Sequence, residues 1–267
     1  MYYFLLIIFA LLPSVIWLLF FLRKDAHPES NKMILRVFLY GMLVTIPAAI
    51  IQLGFLEITE KLTYWPFLIL TLNIFFGVAL VEEFSKYLVV KIKVLRSSEL
   101  DEPLDVMLYM IIAALGFAAL ENVLYLSRIY MFPPLDIVCP DFLTNIIQFL
   151  SVVFGHTFSE DVFYAVFLTN IFRFLGAVFG HALWSGTLGY FLALSFYEPK
   201  QRLKLLILGF VLAVSLHAAF NYAIMQIAKT GNPVWFLLII IMLIGLAIFV
   251  TLGFKRLQKI KSICKIK

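Results

Sequence analysis

Two adjacent carboxylates, Glu82 and Glu83, and a cation, Lys86, interrupt the apolar stretch 71–90, which is otherwise hydrophobic enough to cross a membrane. A charged side chain at bilayer depth costs roughly 2.5–3.5 kcal/mol on insertion scales. Two carboxylates within one helical turn therefore imply a partner, a bound proton or a function.

Three further apolar stretches carry polar groups of the same kinds. Glu121 and Asn122 follow the run Gly116–Leu120, and His181 stands in a glycine-containing stretch, 179–186. His217 and Asn221 are spaced i, i+4, which places both on one face of a helix. Carboxylates and imidazoles exchange protons near neutral pH and are also the usual ligands of zinc. Together these groups predict a site that activates water, either directly or through a metal.

Each group also has a structural interpretation. A single histidine or asparagine inside a membrane is commonly an interhelical hydrogen-bond donor, and Glu82 with Lys86 could form a simple i, i+4 ion pair. Lys86 would then extend toward the nearby membrane surface. The occurrence of such groups in four separate apolar stretches favours function.

The elements that position these groups are predicted to be membrane-spanning helices. Of 267 residues, 63% are hydrophobic and 14% charged, and 28 are Phe, which excludes an ordinary soluble domain. We predict an all-α polytopic bundle of about seven to eight transmembrane helices, because lipid requires backbone amides to be satisfied within each segment. The predicted spans are 2–22, 33–55, 65–90, 106–127, 174–196, 203–227 and 234–254.

The chain is predicted to form a single integral membrane domain, 1–267, without a cleaved leader. The first apolar run lacks a basic start and a small-residue cleavage site. Segment 142–173 is ambiguous between a re-entrant and an interfacial element. His27 and His156 are predicted to be structural or solvated, and the separated Cys139 and Cys264 indicate neither a disulfide framework nor a thiol metal site. The net charge of +5 forms no soluble patch, so nucleic acid is not an expected partner.

Basic residues predict that the N-terminus is outside and the C-terminus is cytoplasmic. Lys and Arg cluster after the first, third, fifth and seventh predicted spans, whereas the intervening connections hold few cations. Segment 255–267 is predicted to be a basic cytoplasmic tail attracted to anionic lipid headgroups.

In these motifs the chain resembles the PrsW family of intramembrane proteases, within the superfamily of the CAAX prenyl proteases and the abortive-infection membrane proteins. The resemblance covers the core 65–227 and rests on Glu82-Glu83-x-x-Lys86, Phe117-Ala118-x-x-Glu121-Asn122, His181, His217-x-x-x-Asn221 and the lead-in 101–105. The CAAX branch would have Arg in place of Tyr87 and His in place of Glu121. Val106 departs from the glycine that the lead-in pattern usually contains.

The resemblance implies an integral protein of the bacterial cytoplasmic membrane that cuts a membrane-anchored protein, with anti-sigma factors as the associated substrate class. In a metal-free mechanism, Glu82 or Glu83 would be the general base, and His181 and His217 would orient water or stabilise the oxyanion. In a zinc mechanism, Glu121, His181 and His217, with one of the paired glutamates, would be the ligands. Lys86, Asn122 and Asn221 are predicted to support the site. The metal-free version is preferred, and zinc stays open.

A transporter or ion channel is the main alternative, because the same buried carboxylates and histidines could relay protons or bind a cation. A non-catalytic membrane scaffold is a third. Transporters of this kind commonly have two related halves, and the sequence shows no such symmetry.

Overall fold

The computed structural model describes residues 2–25, 27–62, 65–97, 100–131 and 161–260, and these residues contain seven long helices. Each helix is long and strongly apolar, as expected where the backbone must satisfy its own hydrogen bonds. The helices are α1 Tyr2–Leu22, α2 Asn31–Leu62, α3 Pro66–Lys93, α4 Pro103–Met131, α5 161–197, α6 Arg202–Thr230 and α7 Pro233–Leu257.

The prediction of an all-α polytopic membrane bundle is confirmed. Helices α2 to α7 each contain a stretch long and apolar enough to cross a membrane, and the described residues of α1 add a shorter apolar helix, Leu6–Leu22. Every predicted span lies within one of these helices, except that Trp65 immediately precedes α3. The number of crossings and the orientation of the ends stay predictions.

The ambiguous segment 142–173 is described only from residue 161. From there the chain is helical and runs on into the fifth predicted span, so α5 begins well before Phe174. Cys139, His156 and Glu160, together with Cys264 and the rest of the basic tail beyond Ile260, lie outside the described residues.

Helix α4 is the centre of the bundle. Of its most apolar 18 residues, 94% are buried, whereas 22–39% of the corresponding residues are buried in the other spans. A helix that is hydrophobic on all sides is expected to be surrounded by protein. Small residues let α2 approach closely, because a Cβ at Gly41 would collide with the Ala113 carbonyl and one at Gly116 with the Phe38 carbonyl. This packing fixes α4, and with it Glu121, relative to its neighbours.

Two helices contain π-helical segments directly before residues of the predicted site. In α3 the segment Asn73–Leu80 precedes Glu82 and Glu83, and in α5 the segment Phe174–Val178 precedes His181. A π segment bonds i to i+5 and so rotates every later side chain relative to a continuous α-helix. The carbonyl of Phe174 accepts a hydrogen bond from Trp17 Nε1 of α1 at 2.9 Å. The π segments thus set which face of α3 and of α5 carries the site.

The connections after α1 and α3 and the end of α7 lie at one end of the bundle. Gln258 Nε2 donates to the Lys24 carbonyl at 2.8 Å, and His27 Nδ1 lies 2.7 Å from Glu102. Asp105 Oδ2 accepts from the backbone amides of Asp101 and Glu102 and so caps the start of α4. The basic clusters that follow α1, α3 and α7 therefore share this end, as expected if it faces the cytoplasm.

We predict that labelling of single cysteines will place this end of the bundle in the cytoplasm. The two test variants are Gln201→Cys, directly before α6, and Thr230→Cys, at the end of α6. Both positions are exposed. In a background with Cys139 and Cys264 replaced, an impermeant maleimide should label Thr230→Cys in intact cells and Gln201→Cys only after permeabilisation. The reverse pattern would show that the chain is inserted the other way.

Candidate functional site

Glu82, His181 and His217 come from three different helices and converge inside the bundle. One ligand atom from each lies within 4.8 Å of the other two, and all three residues are buried. Glu82 Oε2 is 3.9 Å from His181 Nδ1 and 3.8 Å from His217 Nε2. Two imidazoles and one carboxylate are a donor set typical of catalytic zinc.

A second carboxylate faces the remaining nitrogen of each imidazole. His181 Nε2 lies 2.9 Å from Glu121 Oε2, and His217 Nδ1 lies 3.2 Å from Glu83 Oε1. If each ring donates its N–H to that carboxylate, the unprotonated nitrogens are His181 Nδ1 and His217 Nε2, the two that lie nearest Glu82. Carboxylates commonly hold metal-ligating histidines in this way, by fixing both the tautomer and the ring orientation.

Lys86 occupies the space between these groups and is completely buried. Its Nζ lies 2.6 Å from Glu83 Oε1, 2.8 Å from His181 Nδ1 and 3.5 Å from Glu82 Oε2. It also lies 4.6 Å from the centre of the Phe117 ring, a cation–π distance. Lys86 does not extend to the membrane surface, and its shorter ion pair is with Glu83 rather than Glu82.

Neutral side chains fix the paired glutamates. Ser185 Oγ donates to Glu83 Oε2 at 2.6 Å, and Gln52 Nε2 donates to Glu82 Oε1 at 3.1 Å. Ser185 follows His181 by four residues and so lies on the same face of α5. Glu82 is thereby turned toward the histidines, while Glu83 is held by three different helices.

Glu121 has a cationic partner that sequence reasoning missed. Arg173 Nη2 lies 3.3 Å from Glu121 Oε1, and Arg173 Nε donates to Asn122 Oδ1 at 2.6 Å. The guanidinium carbon also lies over the Tyr125 ring, 4.5 Å from its centre. Arg173 lies in segment 142–173, whose structure was ambiguous from sequence. The sequence pattern therefore did not indicate that this side chain faces α4.

Asn122 joins three helices through its amide. Its Nδ2 donates to the Ala10 carbonyl of α1 and to Asn170 Oδ1 of α5, both at 2.7 Å, and its Oδ1 accepts from Arg173. Asn170 in turn donates to the Phe9 carbonyl at 2.8 Å. This is the interhelical hydrogen bonding considered from sequence, and it holds the helix turn that carries Glu121.

The predicted zinc ligands are Glu121, His181 and His217 with one of the paired glutamates. In the described part of the chain Glu82, His181 and His217 converge, whereas Glu121 contacts the other nitrogen of His181. Asn221 is half-buried and lies one turn beyond His217. The His217 ring contacts Glu83 and Trp184. The supporting role of Asn221 stays a prediction. Helix rotation decides which of several nearby carboxylates meets the histidines, and the spacing of residues along the chain does not encode it.

Loss of Arg173 is predicted to destabilise the bundle. Arg173→Met would leave the Glu121 carboxylate without its cation and remove a donor from Asn122. Breaking a buried charge pair costs about 3–5 kcal/mol, and because the Glu121 side chain is 33% exposed we expect about 3 kcal/mol. Unfolding in mixed detergent micelles would measure this, with Arg202→Met, at an exposed position beside Phe196, as the matched control. Equal unfolding midpoints for the two variants would contradict the assigned role.

Comparison with known proteins places these residues in one family. A family described as PrsW family intramembrane metalloprotease matches residues 29–252. Similar curated proteins, each named Protease PrsW, come from Geobacillus kaustophilus at 38% identity over 115 residues and from Oceanobacillus iheyensis at 27% over 212 residues. A third, from Shouchella clausii, is 22% identical over 218 residues.

The extent of these matches differs. The first covers 43% of this chain and 48% of its relative, so it spans about half of that protein. The second match covers 79% of this chain and 78% of the relative. The third covers 81% of this chain and 82% of the relative. No solved structure matches the chain. The family match includes Glu82, Glu83, Glu121, His181 and His217 within its limits.

Proposed function

Because this integral bacterial membrane protein belongs to the PrsW family of intramembrane metalloproteases, we propose that it hydrolyses a peptide bond of a membrane-anchored protein at the site of Glu82, His181 and His217. The observation that carries the proposal is the convergence of these three groups inside the bundle, with a carboxylate on the second nitrogen of each imidazole. The family matches give no support to the transporter or channel considered from sequence.

The donor set fits a divalent metal held by Glu82, His181 and His217. Lys86 Nζ lies 2.8 Å from His181 Nδ1, so Lys86 would move away from this nitrogen for His181 to bind the metal. Among the described residues, the carboxylates of Glu82, Glu83 and Glu121 face the cationic side chains of Lys86 and Arg173, so the acidic groups outnumber the cationic side chains by one. These features favour the metal-dependent version of the two mechanisms that the sequence left open.

A bound zinc ion would supply Lewis-acid polarisation of the carbonyl and would lower the pKa of water. The chain's own groups divide the remaining work. Glu121 and Glu83 hold the two imidazoles, and Arg173 and Ser185 hold those carboxylates in turn. This orientation matters because imidazole ligands act only when their lone pairs converge.

Glu83 is proposed to accept the proton of the attacking water and to return it to the leaving amine. The position now held by Lys86 Nζ is 2.6 Å from Glu83 Oε1 and also faces Glu82 and His181. A water at that position would lie within hydrogen-bond reach of Glu83, which is the geometric requirement for a general base. Lys86 Nζ would have to leave this position for water to enter it.

The substrate is proposed to be a protein with a membrane anchor, since the site lies on helices that span the bilayer. Anti-sigma factors are the candidate class, by resemblance to the family. The proposed function is tested with purified protein in liposomes, supplied with zinc and incubated with candidate single-span proteins. Wild type should release a fragment that the Glu82→Gln, Glu83→Gln double variant does not. Identical cleavage by both proteins would refute the proposal.

A further inference from the structure

Trp184 lies at the centre of the site and contacts both histidines. Its indole stacks on the His217 ring, with centres 4.6 Å apart and planes 16° from parallel, and meets His181 at 5.2 Å and 65°. The residue is completely buried, with Phe220 packed on it at 5.4 Å. A Cβ at position 180 would collide with the six-membered ring of the indole, so Gly180 provides the space for it.

The indole N–H of Trp184 has no hydrogen-bond partner in the described part of the chain, although it is inaccessible to solvent. An indole nitrogen is only a donor, and burial without a partner costs about 1–3 kcal/mol. Nearly all buried polar groups are paired, so an exception next to the two histidines of a site requires a reason.

Trp17 of α1 shows that an indole N–H can find a hydrogen-bond acceptor in this bundle. Trp17 packs against Phe179 at 4.1 Å, and its Nε1 donates to the Phe174 carbonyl at 2.9 Å. The unpartnered donor of Trp184 is therefore a property of its position rather than of tryptophan in this bundle. A Phe at 184 would provide an aromatic stacking surface without the unsatisfied group.

We propose that Trp184 donates its N–H to the carbonyl oxygen of the scissile peptide. This oxygen gains negative charge as water attacks, and preorganised donors aimed at it are among the largest contributions to catalysis. The indole neither gains nor loses a proton, so it contributes only a hydrogen bond that forms on substrate binding and strengthens in the transition state. This inference rests on the proposed peptidase function and adds a catalytic residue to it.

The competing interpretation is that Trp184 only positions the imidazoles by stacking. An isosteric replacement separates the two, because 3-benzothienylalanine at 184 has sulfur in place of N–H and keeps the bicyclic ring. We expect kcat to fall by about 10²-fold, the lower end for loss of one oxyanion-hole donor. Bound zinc should stay at the wild-type value and the unfolding temperature should not fall, since the resting protein makes no hydrogen bond to lose and the buried donor is unsatisfied.

The same replacement at Trp17 is the matched control. There the N–H is bonded to Phe174, so the unfolding temperature should fall. Unchanged kcat in the 184 variant, or a fall in its unfolding temperature like that of the Trp17 variant, would overturn the proposal. If wild type itself releases no fragment, the proposed function fails instead, so the two failures are distinguishable.

Discussion

Replacing either Glu82 or Glu83 with glutamine is expected to reduce peptide-bond hydrolysis by about 10²- to 10⁴-fold, the usual contribution of general acid–base catalysis. Gln keeps the volume and part of the hydrogen bonding of Glu but can act neither as a base nor as an anionic ligand. Glu82→Gln would weaken the ligand set, and Glu83→Gln would remove the proton acceptor. Turnover of a single-span substrate in liposomes with excess zinc would measure both effects.

Two further variants make this test specific. Glu57→Gln affects an exposed carboxylate that pairs with Lys61 at the surface, and it should retain wild-type turnover. Glu121→Gln should lose about 10- to 100-fold, as expected for a group that orients a ligand rather than binding or reacting itself. Folding of each variant is checked by its unfolding midpoint, because Glu83→Gln also removes the closest partner of Lys86. Near wild-type turnover in correctly folded Glu82→Gln and Glu83→Gln would remove the chemical basis of the proposed site.

His181→Ala or His217→Ala is expected to abolish both stoichiometric zinc and activity. Each histidine offers one nitrogen toward Glu82, and a site left with one imidazole and one carboxylate should bind metal far more weakly. Elemental analysis of protein purified with zinc would measure the bound metal directly. Chelator should stop the wild-type enzyme in a way that added zinc reverses.

His27→Ala is the matched control for metal content, because His27 is an exposed loop residue paired with Glu102 and far from this donor set in sequence. It should bind as much zinc as wild type. The metal-dependent mechanism would be wrong if active wild-type protein contained no stoichiometric metal and kept its activity in chelator. In that event the metal-free alternative, with His181 and His217 orienting water, would explain the same geometry.

The placement of the site has an energetic consequence for the fold. Several carboxylates buried in one region of a membrane protein are tolerated because each has at least one charged or hydrogen-bonding partner: Lys86 and Ser185 for Glu83, Gln52 for Glu82, and Arg173 for Glu121. Removing one partner leaves a charge unpaired, and this is why the Arg173 variant is expected to lose stability.

The sequence by itself determined the fold class and identified the candidate site residues. Apolar runs of about 20 residues are sufficient to predict spanning helices, because the bilayer sets the length of helix that crosses it. Glu82, Glu83, Glu121, His181 and His217 were found for the same reason, since polar groups are conspicuous where insertion is costly. Ser185 was also within reach of sequence reasoning, as it follows His181 by one helical turn.

Only the tertiary structure decided which of these groups meet. The π segments Asn73–Leu80 and Phe174–Val178 rotate the site residues of α3 and α5, so a regular period of 3.6 residues does not give their direction. That rotation sets Glu82 beside the histidines and leaves Glu121 on the far nitrogen of His181. The pairing of Arg173 with Glu121 and the unpartnered indole of Trp184 likewise depend on contacts between helices distant in sequence. Such contacts follow from how whole helices pack, which no local pattern of residues encodes.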